Sequence, residues 1–456
     1  MKTKKWIFLG IYLTLNVLFS SCKKDWLNGK PNESLVVPTS VNDYQALLDN
    51  TSVMNMTQPS LYMLGDGDFK LSDAKYNAVS IPEQQAYVWG DTENFYGGQP
   101  SLDWKYTYQT ILNANVVVDG IQTLQVDQTS RSAFNNVYGS ALFFRSLCYY
   151  DLAQMYCKPY NATTAGVDYG LPLRVSSNVN LSIKRSSVQQ TYDQIISDLV
   201  KATQLLTGVP PYPTRPSKSA AFGLLARVYL SQQNYNKALL YADSSLKLNN
   251  TLINFNDLIS TAQYPIPKFN SEDIFHCTLD FYASFKASRL IVDSVLHASY
   301  APNDLRAAVY FVPEGGTFAF KGSYDGDQTF FGGIATDEVY LIRAECYARS
   351  GNTAAAMQDL NSLLKTRWLT GTYTDLVASS ADAALLLIIA ERRKELCFRG
   401  LRWTDLRRLN TDSRFQTTIT RVVNGQTYTL TPNSPKYVLP IDSYEIQVSG
   451  LTQNPR

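Results

Sequence analysis

The sequence predicts a mainly α-helical protein with little β-structure, and three observations carry that prediction. Segments 134–156, 220–248 and 337–364 each place small and aromatic residues on one face at helical spacing. Polar turn pairs, Gln233-Asn234 and Gly351-Asn352, fall where two of these segments must reverse direction. Between the helical stretches, residues 57–103 and 261–335 are rich in Gly, Pro, Asp and aromatic residues and read as long irregular insertions. Insertions of that length in a compact protein are usually functional, so a ligand-binding half is expected there.

From the N-terminus, Lys2, Lys4 and Lys5 precede a 14-residue mostly apolar run, Trp6–Phe19, then Ser20, Ser21 and Cys22. Fourteen residues at ~1.5 Å rise reach about 21 Å, short of the ~30 Å hydrocarbon core. Residues 1–21 therefore read as a removable export signal rather than a membrane span. A cysteine placed directly after small residues resembles a bacterial lipoprotein signal, which implies lipidation of Cys22. Residues 22–34 read as a lipidated polar tether, and residues 35–456 as one helical domain carrying the two insertions. A helix capped by Thr39 or Ser40 is expected through Tyr44, Leu47 and Leu48.

The export signal contains three lysines and no acid, so the +2 of the whole chain becomes −1 after cleavage. Such a surface has little long-range field to attract polyanions, which argues against a nucleic-acid partner. Five cysteines besides Cys22 (Cys148, Cys157, Cys277, Cys346 and Cys397) are scattered without a CxxC pair. Most read as small buried hydrophobes, with one disulfide possible in an exported protein. No cofactor or metal cluster is indicated. Aromatics are the outlier, with 30 Tyr, 20 Phe and 6 Trp against 2 His, which favours ring-based binding over histidine chemistry.

The clearest helical unit is Ala220–Leu248, where Leu225, Ala226 and Tyr229 face Ala238 and Ala242 across the Gln233-Asn234 turn. Residues 337–364 repeat it at an offset of 118, with Leu341, Ala344 and Tyr347 facing Ala356 and Leu360. Alanines at these seams let two helix backbones approach closely. The spacing resembles a tetratricopeptide hairpin, although the units lie much further apart than the ~34 residues of a tandem array. Residues 134–156 supply a third candidate first helix.

The densest signal is Glu391–Arg408. Glu391 and Glu395 share a helix face, and like charges four residues apart repel unless cations sit between them. Arg392, Arg399, Arg402 and Arg408 can supply those cations, with Trp403 stacking on a guanidinium. Gly400 is expected to end the first helix and Trp403–Leu409 to start another. The pattern reads as a charged helix pair that locks the C-terminal packing.

Glu391–Arg408 also resembles the C-terminal signature of the SusD/RagB family of outer-membrane nutrient-binding lipoproteins. Other stretches similar to that family follow in order: Trp104–Asn115, Ala141–Tyr156, Gly170–Leu173, Tyr437–Ile441 and Leu451–Pro455. The resemblance implies a SusD-like fold with four tetratricopeptide-like hairpins and an irregular, loop-rich ligand-binding half. It implies a cell-surface, lipid-anchored protein of the outer membrane. Such a protein captures a glycan, or in some relatives a peptide, and delivers it to a SusC-like TonB-dependent transporter without chemistry. Its signature residues mark fold and transfer no binding site. Trp89 lies in the region where relatives often place a platform ring, and Tyr282, Tyr310 and Tyr324 are further candidates from the second insertion.

The competing enzyme reading, an all-α glycan hydrolase, needs two carboxylates at ~5–9.5 Å. Asp66/Asp68 and Asp325/Asp327 sit in glycine-containing loops, but Lys70 and Thr329 occupy positions that a Ca²⁺ loop would give to ligands. Both pairs read as solvated turn acids. A bare helical scaffold is the other alternative, and the long aromatic insertions speak against it. An oligosaccharide-binding protein is the expected function.

Overall fold

A computed structural model describes residues 38–456, and Ser40–Arg456 form one compact unit. The export signal, Cys22 and the tether lie outside the described residues. The first helix, α1 (Val41–Leu48), starts at Ser40, whose side chain accepts from the Asp43 amide while Asp43 bonds back to the Ser40 N–H. This reciprocal cap satisfies two amides that a helix start leaves open.

The helical frame continues with α2 (Leu102–Ile121), α3 (Arg131–Tyr156) and α4 (Val188–Leu205). It is completed by α5 (Lys218–Ser231), α6 (Tyr235–Leu246), α7 (Thr336–Arg349), α8 (Thr353–Lys365), α9 (Ala381–Glu395) and α10 (Leu401–Leu409). Successive helices pack as α2 on α3, α3 on α4, α5 on α6 and α7 on α8, and α6 packs on α7 to join the last two pairs. The small residues foreseen at the seams are buried there: Ala226, Ala238, Ala242, Ala344 and Ala356 have no exposed surface. The two turns are built alike. Gln233 (φ 59°) and Gly351 (φ 84°) adopt left-handed backbone, and the next residue, Asn234 or Asn352, caps the returning helix.

β-structure among the described residues is confined to two-stranded antiparallel sheets. The longest is the hairpin Ile419–Val423 with Gln426–Leu430. One large apolar core runs from α1 to the C-terminus, and a smaller one lies among α7, α8 and α9. All five described cysteines are buried and unpaired.

The charged C-terminal signature is buried more deeply than its composition suggests, and its partners differ from those expected. Glu395 is bonded by Arg367 Nε at 2.7 Å and Arg306 Nη1 at 3.0 Å, and Glu391 by Arg306 Nη2 at 2.6 Å. Of the cations within the signature, Lys394 pairs with Glu391, while the expected ones face elsewhere: Arg392 pairs with Asp405, Arg399 with Asp337, and Arg408 with Glu345 and Asp405. The physical reason is helix geometry: Arg392, next to Glu391, points away from the Glu391/Glu395 face, and Arg399 and Arg408 lie beyond the end of that helix. Trp403 packs against Tyr437 at 4.8 Å between ring centroids rather than on a guanidinium. The helix ends at Glu395, and Gly400 (φ 72°) instead caps the start of α10. A Cβ at Gly400 would lie 2.8 Å from the Tyr62 hydroxyl, so both the backbone turn and the close approach require glycine.

Candidate functional site

Three of the four rings proposed from sequence are core residues, which corrects their assignment as ligand contacts. Trp89 is 2% exposed, and its indole Nε1 donates to the Gly65 carbonyl at 3.0 Å. Tyr310 is 2% exposed, with its hydroxyl directed to the Glu395 carbonyl at 3.3 Å. Tyr324 is 1% exposed, and its hydroxyl donates to Glu272 Oε2 at 2.7 Å. A sugar needs a free ring face, and burial leaves none. The insertions fold inward because they hold so many rings: Phe320 stacks on Phe398 at 4.4 Å, and Phe330 packs between Phe285 and Phe398. Tyr282 alone keeps part of its surface open, beside Phe281.

The paired acids are also not solvated turn residues. Asp66 and Asp68 are buried, and burial together with the Asp68 charge raises the Asp66 carboxyl well above the usual carboxylate range. Asp325 is buried against His276, whose Nε2 lies 2.7 Å away, while His276 Nδ1 meets Asp273 at 2.5 Å. Burial opposes the imidazolium, but the two flanking carboxylates outweigh it and raise the His276 pKa. Only Asp327 remains exposed. Neither pair forms a metal-binding group among the described residues.

A groove elsewhere gathers the chemistry of sugar recognition. Its deeper part, about 840 Å³, lies between the segment after α3, the α5–α6 turn, the end of α10 and residues 433–438. A shallower part of about 450 Å³ continues along the α5–α6 turn to Arg349 and shares Tyr160, Ala162, Gln232 and Gln233 with the first. Tyr160 stands where the two parts join. Its hydroxyl donates to Gln189 Oε1 at 2.7 Å and its ring meets Tyr192 edge-on at 5.1 Å, so the phenol is held in place while half-buried. Around it the groove presents amides: Asn161, Gln232, Gln233, Asn234, Asn236 and Asn433. Each primary amide offers two donors and an acceptor, which matches hydroxyls that both give and take hydrogen bonds.

The floor of the groove is fixed. Asn410 is buried, donating from Nδ2 to the Tyr437 hydroxyl at 3.0 Å and accepting the Thr417 amide at 2.9 Å. Arg407 donates from Nη2 to the Cys157 carbonyl at 2.6 Å, tying α10 to the end of α3. Lys158 and Asp168 pair at 2.6 Å on the rim, while the Arg407 guanidinium meets only the carbonyls of Gln154, Tyr437 and Cys157 and leaves one positive charge in the wall. The arrangement can hold a hydroxyl-rich chain beside Tyr160. Sequence reasoning missed this groove because its residues come from four connections far apart in the chain. The one signal present was the run Gln232-Gln233-Asn234-Tyr235-Asn236, read only as a turn.

Residues 336–456, which contain the charged signature, match the family model described as the SusD family. Residues 25–230 match the SusD-like model described as starch-binding and associating with the outer membrane. The chain belongs to the SusD/RagB family. A SusD-like protein of Formosa agariphila is 25% identical over 245 residues, which cover 52% of this chain and 45% of that relative. The chain thus matches less than half the length of that relative. Among solved structures, a SusD superfamily protein from Bacteroides thetaiotaomicron superposes with a TM-score of 0.73 at 22% identity, covering 92% of this chain and 100% of the other. A SusD-like carbohydrate-binding protein from Bacteroides vulgatus gives a TM-score of 0.67 at 21% identity, covering 90% and 97%. These likenesses establish the SusD fold. The family is one of carbohydrate-binding proteins associated with the outer membrane, and no described helix of this member is long and apolar enough to cross a membrane.

Proposed function

We propose that this SusD-family protein captures an oligosaccharide at the cell surface and delivers it to a SusC-like TonB-dependent transporter, held to the outer membrane by lipid on Cys22. The observation that carries the proposal is the Tyr160 groove, where a fixed ring and a line of amides meet. Recognition of this kind places apolar sugar faces on rings and exchanges hydroxyl–water bonds for hydroxyl–amide bonds, so one site binds weakly. Family membership supports capture without cleavage, and the burial of Asp66, Asp68 and Asp325 supports it as well.

The test is a binding screen against polysaccharides and oligosaccharides with product analysis on every hit, followed by two variants. Tyr160→Ala is expected to lower affinity about tenfold, ~1.4 kcal/mol. Tyr282→Ala serves as the comparison on the insertion surface. If Tyr282→Ala abolishes binding and Tyr160→Ala does not, the site lies in the insertion. Cleaved products would replace capture by an enzyme, and binding of peptides alone would change the ligand class.

A further inference from the structure

On the other face of α10 from the groove, a cavity of about 380 Å³ opens between α9, α10, the short helix Ser294–Ala298 and residues 414–417. Four cationic side chains line it (Arg393, Lys394, Arg402 and Arg414), and no carboxylate residue does among the described residues. The rest of the wall is largely aliphatic, contributed by α9 and α10, with the Phe415 ring at one side.

Three of these cations are neutralised from behind. Arg393 meets Asp68 at 3.1 Å and Asp293 at 3.6 Å, Lys394 pairs with Glu391, and Arg414 is held by Asp412 at 2.6 Å and Asp382 at 2.5 Å. Arg402 differs. Its ion pair is a 4.0 Å approach to the same Asp68 oxygen that Arg393 already bonds, and its Nε has no hydrogen-bond partner among the described residues. Asp66, next in line, brings little countercharge because burial and Asp68 favour its protonated form. Nearby Arg421 is buried and directs its guanidinium to the carbonyls of Leu64 and Tyr87 rather than to an acid. With Lys70 also on Asp293 at 3.5 Å, the cluster sets Arg393, Arg402, Arg421 and Lys70 against Asp68 and Asp293, and positive charge is in surplus. Desolvation and the adjacent Arg393 push the Arg402 pKa down, the direction expected of a buried cation short of a counter-ion.

We propose that this cavity binds the oxyanion of an acidic sugar, a uronate carboxylate or a sulfate ester, with Arg402 and Arg414 holding the anion and the apolar wall lying against the sugar ring. Guanidinium groups are suited to this because their planar donors match carboxylate and sulfate oxygens pairwise. The proposal deepens the capture function and rests on it. It gives the ligand a charged sugar at a point separate from the Tyr160 groove.

The test compares oligogalacturonate, a sulfated galacto-oligosaccharide and the neutral galacto-oligosaccharide, titrated into the full chain in detergent by calorimetry at low and high salt. At least one anionic compound is expected to bind tenfold or more tighter than the neutral one, with the preference shrinking as salt rises. The stronger of the two names carboxylate or sulfate as the source. Arg402→Gln, and independently the more exposed Arg414→Gln, should bring the anionic-to-neutral affinity ratio close to one, so a folding defect in the first leaves the second informative. Equal binding of charged and neutral sugars overturns the anion site while leaving capture intact. A charge preference that survives both variants also overturns it. Failure of every sugar to bind, with binding of acidic peptides instead, overturns the capture reading itself.

Discussion

Trp89 carries two local constraints: its indole donates to the Gly65 carbonyl, and its backbone adopts a left-handed φ of 54°. Arg421 lies over its ring at 4.9 Å, and Gly65 has no side chain because the Trp89 and Trp403 rings pack directly on it. Trp89→Ala is therefore expected to destabilise the protein by ~3–5 kcal/mol, the usual cost of emptying a buried aromatic site. Urea denaturation checks this, and a loss under ~1 kcal/mol would return Trp89 to the surface. Asp103 offers a test of charge. It is buried and accepts the amides of Ser60 at 3.3 Å and Leu61 at 3.0 Å, yet burial and the nearby Asp280 push its carboxyl up to about 7. A carboxyl whose pKa is higher folded than unfolded holds its proton preferentially in the folded state. Its contribution is full below about pH 4 and fades as pH rises towards 7. Asp103→Asn, which fixes the neutral form, should flatten the decline in Tm between those limits. An unchanged slope would mean that the carboxyl is already ionised.

Helices here are joined less by their own propensity than by buried ion pairs between them. Arg367, just beyond α8, bonds Glu395 at the end of α9 and Glu272 beside the strand Asp273–Phe275, each at 2.7 Å and with all three side chains fully buried. A third bond reaches the Ile253 carbonyl, and the guanidinium covers the Phe255 ring at 4.3 Å. Arg367→Met keeps the volume but strands Glu272 and leaves Glu395 to Arg306 alone, and a loss of ~3–5 kcal/mol is expected by chemical denaturation. Glu272→Gln added to it should recover part of that loss, because the stranded charge is removed. At this scale the sequence was readable where partners are close along the chain. The Ser40 cap, the Asn234 and Asn352 turns and the alanine seams all follow from spacing. Arg367 was not readable, since its partners lie 28 and 95 residues away. The same holds for Glu391 and Glu395, whose cation Arg306 comes from the second insertion.

For the whole molecule, the α5–α6 and α7–α8 pairs form one helical stack, and the insertions supply a second, ring-filled body packed on α9 and α10. Attachment to the membrane is proposed to depend on Cys22, the cysteine that follows the apolar run Trp6–Phe19. Cys22→Ala should move the protein from the membrane fraction to the soluble fraction, and persistence at the membrane would exclude that anchor. Sequence alone determined the helical class, the paired helices and the family, because those follow from periodicity, capping and a contiguous charged signature. It could not rank the rings: 30 tyrosines and 20 phenylalanines look alike in a chain, and only packing shows that Tyr310 and Tyr324 lie inside while Tyr160 stands in a groove. Likewise Asp66, Asp68 and Asp325 look solvated in the chain and are buried once the insertions fold, Asp68 against Arg393 and Asp325 against His276. Tertiary structure decided the site because a binding surface is made of residues brought together from distant connections, and burial is a property of the fold rather than of any residue.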